Sequence, residues 1–253
     1  MRFKTFQLII VFLLLVSPIG AYPAEVPDLK RAKGYQGNIP VRVIKEVPLP
    51  KGYHEGLFHD GENIWVNNGE NGNTWLVDTG TGEVMSEVIP PGTFSEGITI
   101  ADNGTFWVTD WNEKKIYRVK IEAGRMNVEY DISLDPARPT GIVWTGEKLY
   151  VLTWERGLGT KYYLMQLDRE EHMSRKMRIK RIHEPSQLAW DGRRLWITSW
   201  YSDLVYKVDV DTFSVLGSFR SPAKRTTGIA WDGKHFWLTG THAGLYQVEV
   251  GGE

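Results

Sequence analysis

Glu55 and Glu96 each stand directly before a glycine in two runs of the same pattern, EGLFHDG and EGITIADNG. Two carboxylates brought to one confined site can divide acid and base work. Apolar surroundings favour the neutral form of a carboxyl group, and a second carboxylate nearby strengthens that preference. The pair then titrates as a unit that can give and take a proton near neutral pH. The same sequence column continues as Thr140, Ser186 and Thr227 in TGIVWTG, SQLAWDG and TGIAWDG. A second column, four residues beyond the aromatic that leads each following strand, reads Gly69, Trp111, Trp154, Trp200 and Thr241. Three tryptophans at one level suit an aromatic wall beside the carboxylates. Bonding to backbone amides competes with acid-base work as the task of Glu96, and packing competes with ligand contact for each tryptophan.

Other chemistries have less to stand on. Cysteine is absent, which excludes disulfides, thiolate metal sites and a thiol nucleophile. The six histidines show no paired ligand spacing, and there is no nucleophile elbow or phosphate-binding glycine motif. A divalent-metal site needs converging oxygen ligands, for which Glu55, Glu96, Asn68 and Asp110 are the candidates. No metal or other cofactor is expected. A formal net charge of -1 gives no broad attraction to nucleic acid or an anionic membrane. The one basic run, RKMRIKR at 175–181, reads as a solvated strand or loop.

The elements that must position these residues come from internal repetition. The column residues Gly56, Gly97, Gly141, Gln187 and Gly228 are separated by 41, 44, 46 and 41 residues, a period that fits a four-stranded propeller blade. Each unit holds a short apolar strand, a turn at Asp-Gly or its equivalent, and a strand led by Trp65, Trp107, Tyr150, Trp196 or Trp237. Asp-Gly between apolar runs is a hairpin signal because both residues tolerate positive φ. A third, alternating strand follows, as in YYLMQLD and LVYKVDV, and a fourth, as at Val84 to Ile89 and Val215 to Arg220. The fifth unit lacks a fourth strand, and the strand-like segment Ile39 to Leu49 can complete it by pairing beside Leu245 to Val250. The expected fold is therefore all-β: a five-bladed β-propeller of four-stranded blades, its ring closed by the N-terminal strand. Closure removes the open edges a linear array would leave. Trp65, Trp107, Trp190, Trp196, Trp231 and Trp237 repeat regularly enough to be expected in the core. The innermost strands of a propeller surround its axis, so the column of Glu55 and Glu96 should ring one mouth of the channel.

Arg2 and Lys4 precede the apolar run Phe6 to Val16, and small or helix-breaking residues follow. That pattern predicts a secretory signal over residues 1–24, a linker over 25–38 and the propeller over 39–253. The apolar run is shorter than the ~20 residues a membrane span needs. The mature protein is expected to be exported, periplasmic or secreted, monomeric, and not membrane-bound after cleavage.

YHEGL, NNGENGNTWLVDTGTGEV, FSEGIT and the closing FWLTG with LYQVEV, in that order and spacing, resemble the glutamine cyclotransferases of plant and bacterial type. The likeness covers roughly 39–250. It implies a five-bladed propeller that converts an N-terminal glutamine to pyroglutamate without a metal, expelling ammonia. By the same resemblance Glu96 corresponds to the catalytic glutamate, Phe94, Trp111 and Trp200 match aromatic pocket positions, and Tyr53 replaces a phenylalanine. Glu55, Thr140, Ser186 and Thr241 stand where the family usually has glutamine, tryptophan, asparagine and lysine. With Trp154 from the aromatic column, the expected partner is the N-terminus of a peptide or protein, or a small cationic ligand, met by Glu55, Tyr53, Phe94, Trp111, Trp154, Trp200, Thr140, Ser186 and Thr241. Two alternatives are a non-catalytic propeller that captures a peptide end or small cation, and a metal-dependent lactonase of the six-bladed type.

Overall fold

The computed structural model describes residues 31, 33, 35–69, 72–168, 172–242 and 244–251, and among them there is no helix. The expected signal over 1–24 lies outside the described residues. Twenty strands form five antiparallel sheets of four. Strand β1 (Val41–Val47) comes first. Blade one holds β2 (His54–His59), β3 (Ile64–Asn68), β4 (Thr74–Val77) and β5 (Val84–Val88). Blade two holds β6 (Ser95–Ile100), β7 (Phe106–Asp110), β8 (Lys115–Glu122) and β9 (Arg125–Ser133). Blade three runs through β10 (Arg138–Trp144), β11 (Leu149–Glu155), β12 (Lys161–Leu167) and β13 (Met173–Ile179). Blade four runs through β14 (Pro185–Trp190), β15 (Leu195–Ser199), β16 (Leu204–Val208) and β17 (Val215–Arg220). Blade five has β18 (Thr226–Trp231), β19 (Phe236–Gly240) and β20 (Leu245–Val250), and β1 completes it in the order β1-β20-β19-β18.

The closing ladder runs from Val41 opposite Val250 to Val47 opposite Leu245, as the missing fourth strand required. Just upstream, Gln36 N donates to Leu216 O at 3.0 Å and Ile39 N to Ser218 O at 2.7 Å, so the described end of the 25–38 stretch runs beside β17 and covers the outer edge of blade four.

The turns explain why the sheets form where they do. Asp60, Asp191 and Asp232 each accept two backbone N–H groups of their own turn on Oδ1. The other oxygen of each accepts the indole N–H five residues on, from Trp65, Trp196 and Trp237. One side chain thus fixes both the turn and the buried tryptophan of the next strand. Only the glycine of each Asp-Gly pair takes positive φ, at 108° for Gly61, 92° for Gly192 and 96° for Gly233, because the aspartate is held by its own Asx turn instead.

Apolar packing lies between blades rather than within them. One buried cluster joins Tyr150, Leu152 and Leu164 of blade three to Leu188, Ile197 and Phe213 of blade four, and each other blade junction has its own. Each such side chain contributes about 1.5–3 kcal/mol by leaving water. Trp65, Trp107, Trp196 and Trp237 are buried as expected. Trp190 and Trp231 are only half-buried: they sit at the ends of innermost strands and line a small cavity at the opposite mouth. The basic run lies largely on β13, the outer strand of blade three, with Lys176 paired to Glu155.

The hub is closed by direct backbone contact. A Cβ placed on Gly56 would lie 2.4 Å from Glu96 O, one on Gly97 2.6 Å from Thr140 O, and one on Gly228 2.5 Å from Glu55 O. Neighbouring innermost strands therefore touch, which is the physical reason for the glycine column. Gln187 is the exception. Its Oε1 accepts Ile142 N at 3.0 Å and Leu188 N at 3.1 Å, and its Nε2 reaches Glu96 O at 3.5 Å, so the side chain crosses the hub beneath the carboxylates.

Candidate active site

The ring of Glu55, Glu96, Thr140, Ser186 and Thr227 lines a single cavity of 470 Å³ at one mouth of the hub. Its members divide into two kinds. Thr140 Oγ1 donates to Pro185 O at 3.5 Å, Ser186 Oγ to Thr226 O at 2.7 Å and Thr227 Oγ1 to His54 O at 2.7 Å. In each case a hydroxyl latches its blade to the carbonyl just before the equivalent residue of the next blade. Glu55 and Glu96 break that pattern and hydrogen-bond to each other.

Glu55 is buried at 4% exposure, while Glu96 is partly open to the cavity. Burial raises the Glu55 pKa well above the usual carboxylate range, and the charge of Glu96 adds to the shift. Burial also raises that of Glu96, against the bond from Glu55 and with the charge of Asp110, to about 8. Two carboxyl groups bonded to one another in this setting titrate as one coupled pair, in which the charge left on Glu96 holds the proton of Glu55 more tightly.

Aromatic side chains form the wall. Trp111 and Trp154 meet edge to face at 5.4 Å, and Tyr53 and Phe94 at 5.9 Å. Burial raises the Tyr53 phenol, with Glu55 and Glu96 adding to the effect. Trp154 is anchored by its indole N–H on Pro185 O at 2.8 Å. Trp200 Nε1 donates to Thr241 Oγ1 at 3.4 Å, and the same threonine side chain bonds Tyr53. Thr241 thus supports the wall from behind. Gly69 leaves room for Phe94, whose ring would lie 2.6 Å from a Cβ there.

Asp110 holds the loop that carries Phe94. Its Oδ2 accepts Thr93 N and Phe94 N, both at 2.7 Å, and its Oδ1 accepts Glu113 N at 2.7 Å. Asn68 Oδ1 accepts Tyr53 N at 2.9 Å. The two residues proposed with the glutamates as metal ligands are therefore engaged in holding loops. Among the described residues no group of three or more His, Asp or Glu is arranged to hold a metal ion.

Sequence reasoning missed several pocket residues. Arg156, Asn112 and Glu184 line the cavity. Glu184 belongs to a third column, two residues before the first, that reads Tyr53, Phe94, Arg138, Glu184 and Arg225. Backbone bonds tie this column to the second: Gly69 N donates to Tyr53 O, Trp111 N to Phe94 O and Trp200 N to Glu184 O, at 2.9, 3.0 and 3.0 Å. Reading that column as the rim of the mouth would have found Glu184. Arg156 and Asn112 come from loops between the second and third strands, which carry no periodic signal.

The architecture and its hub pocket define a five-bladed β-propeller with a carboxylate pair at one mouth. Over residues 22–135, which take in β1 and the first two blades, the chain matches the glutamine cyclotransferase family model, as the resemblance in YHEGL and FSEGIT implied. No curated protein matches the chain in sequence. The crystal structure of Myxococcus xanthus glutaminyl cyclase superposes with a TM-score of 0.70 at 15% identity, covering 85% of this chain and 97% of that one. The PQQ-bound aldose sugar dehydrogenase of Streptomyces coelicolor superposes with a TM-score of 0.57 at 12% identity, covering 85% and 99%. At these identities the likeness is one of fold.

Proposed function

We propose that the protein is a glutaminyl-peptide cyclotransferase that turns an N-terminal glutamine into pyroglutamate, with Glu96 as general acid and base. The α-amine attacks the side-chain amide carbon, the N–C bond forms, the bond to the amide nitrogen breaks, and the proton leaving the amine ends on ammonia. A carboxyl pair holding one proton suits both transfers: the ionised member accepts from the amine and the protonated member donates to the departing nitrogen. The aromatic wall excludes water and holds the side chain folded back on its own amine, where proximity lowers much of the barrier. No metal takes part in this reading. The signal-like residues 1–24 support a site of action outside the cytoplasm.

The bonded Glu55 and Glu96 pair in an aromatic pocket carries the proposal, with the family match over residues 22–135 in support. The test is ammonia release from Gln-initiated peptides by wild type and Glu96→Gln. Release by the wild type that falls by at least about 10²-fold in the variant, the usual scale of general acid-base catalysis, supports it. An inactive wild type across a peptide panel overturns it.

One observation favours a binding propeller instead: the Thr140 and Ser186 hydroxyls are committed as donors to the next blade. Tight capture of a peptide N-terminus without turnover is the outcome that reading requires.

A further inference from the structure

Charge around the pocket is layered by depth. The carboxyl groups of Glu55 and Glu96 lie at the floor, whereas three guanidinium groups lie against the aromatic wall. Arg138 and Arg156 each approach the Trp111 ring centre to 5.3 Å, and Arg225 approaches that of Trp200 to 5.1 Å. Arg138 is fixed by its Nη1 bond to Trp111 O at 2.8 Å. Arg156 opens the loop between β11 and β12, is exposed, lines the cavity, and makes no ion pair with any described residue. A guanidinium laid on an indole face keeps its edge donors free for a planar anion. Glu184 is the single acid of the rim column, standing between Arg138 and Arg225 in chain order.

We propose that the site selects substrates with a carboxylate one or two residues beyond the N-terminal residue, received at the mouth by Arg156 within the field of Arg138 and Arg225. The inference rests on the cyclase reading above and names its substrate class. An N-terminus directed to the acidic floor leaves the second and third residues at the mouth, because an extended chain advances ~3.3–3.6 Å per residue. A basic side chain at those positions meets three like charges. The carboxylate has two possible sources, an Asp or Glu side chain or the free C-terminus of a short peptide, and both present the same planar anion.

The experiment compares kcat/KM for Gln-Glu-Ala-amide, Gln-Lys-Ala-amide, Gln-Ala-amide and Gln-Ala with a free carboxylate. In parallel, binding of the non-cyclising Ala-Glu-Ala-amide and Ala-Lys-Ala-amide is followed by the fluorescence of the pocket tryptophans. The acidic peptide should exceed the basic one by roughly fivefold or more, the scale of a partly solvated Arg–carboxylate pair. The ratio should shrink in high salt, collapse in Arg156→Ala and invert in Arg156→Glu. A Gln-Ala over Gln-Ala-amide preference assigns the site to a terminal carboxylate, and a Gln-Glu-Ala-amide preference assigns it to a side chain. Equal binding of the two Ala-initiated peptides by the wild type overturns the inference, whether or not turnover is seen. An acidic preference in binding without any ammonia release keeps it and overturns the cyclase reading alone.

Discussion

Glu55 and Glu96 come from the first strands of neighbouring blades and hydrogen-bond to each other at the floor of one cavity. Their equivalents in the other blades latch one blade to the next, so the contact between these two residues is what sets the site apart from the scaffold. Because the working form carries one proton, activity should rise as the first proton leaves Glu96 at about pH 8 and fall as the second, held by the charge on Glu96, leaves Glu55 at higher pH. A pH profile of kcat/KM that is bell-shaped in the wild type and loses one limb in Glu55→Gln is the expected result. The same bell in both proteins would remove Glu55 from the chemistry.

The pair also ties stability to pH. Both carboxyl groups hold protons more tightly in the folded protein than in the unfolded chain, so folding takes up protons. Their stabilising contribution is complete below the ordinary carboxylate pKa and is lost as pH rises through about 8. Urea unfolding of Glu55→Gln against wild type should show the variant gaining relative stability from pH 5 to pH 8. A constant difference across that range would mean that the pair is not protonated as described.

Gln187 bridges the hub with two buried backbone N–H groups on its Oε1. Gln187→Ala leaves both without an acceptor and opens a void, which should cost about 2–4 kcal/mol. The loss should appear as a lower denaturation midpoint with an unchanged slope. Glu96 would then lack the group beneath its backbone, so KM should shift along with stability.

Gly56 allows no side chain, since a Cβ would stand 2.4 Å from Glu96 O and 2.8 Å from Gly97 Cα. The backbone of β6 cannot yield as a flexible side chain would. Gly56→Ala should destabilise by more than about 3 kcal/mol or abolish folding, whereas Gly61→Ala, in open space and strained only by its φ of 108°, should lose about 1–3 kcal/mol. Thermal melts of the two variants side by side decide the matter.

The fold was legible because the blades reuse a few physical solutions. In four blades a glycine lets inner strands touch, in three an aspartate fixes a turn and an indole together, and the shortfall of one strand in the fifth unit pointed to β1. The column of Glu55 and Glu96 was legible for the same reason. What a column could not show was how its members differ in bonding: Thr140, Ser186 and Thr227 line the cavity while their hydroxyls join blades. Gln187 stood out only as a departure from glycine, and its reach across the axis depends on the space that four glycines vacate. Arg156 lies in a loop of its own length and composition, and its place over Trp111 follows from packing between distant segments.

The ladder between β1 and β20 begins at Val41 opposite Val250, with Gly251 N bonded to Pro40 O just outside it and Gln36 and Ile39 bonded to β17 further upstream. Tension applied to the two ends of the described chain strips the bonds to β17 first and then loads each pair of the ladder in turn. The ring should therefore peel open like a zipper at low force, before any inner strand is sheared.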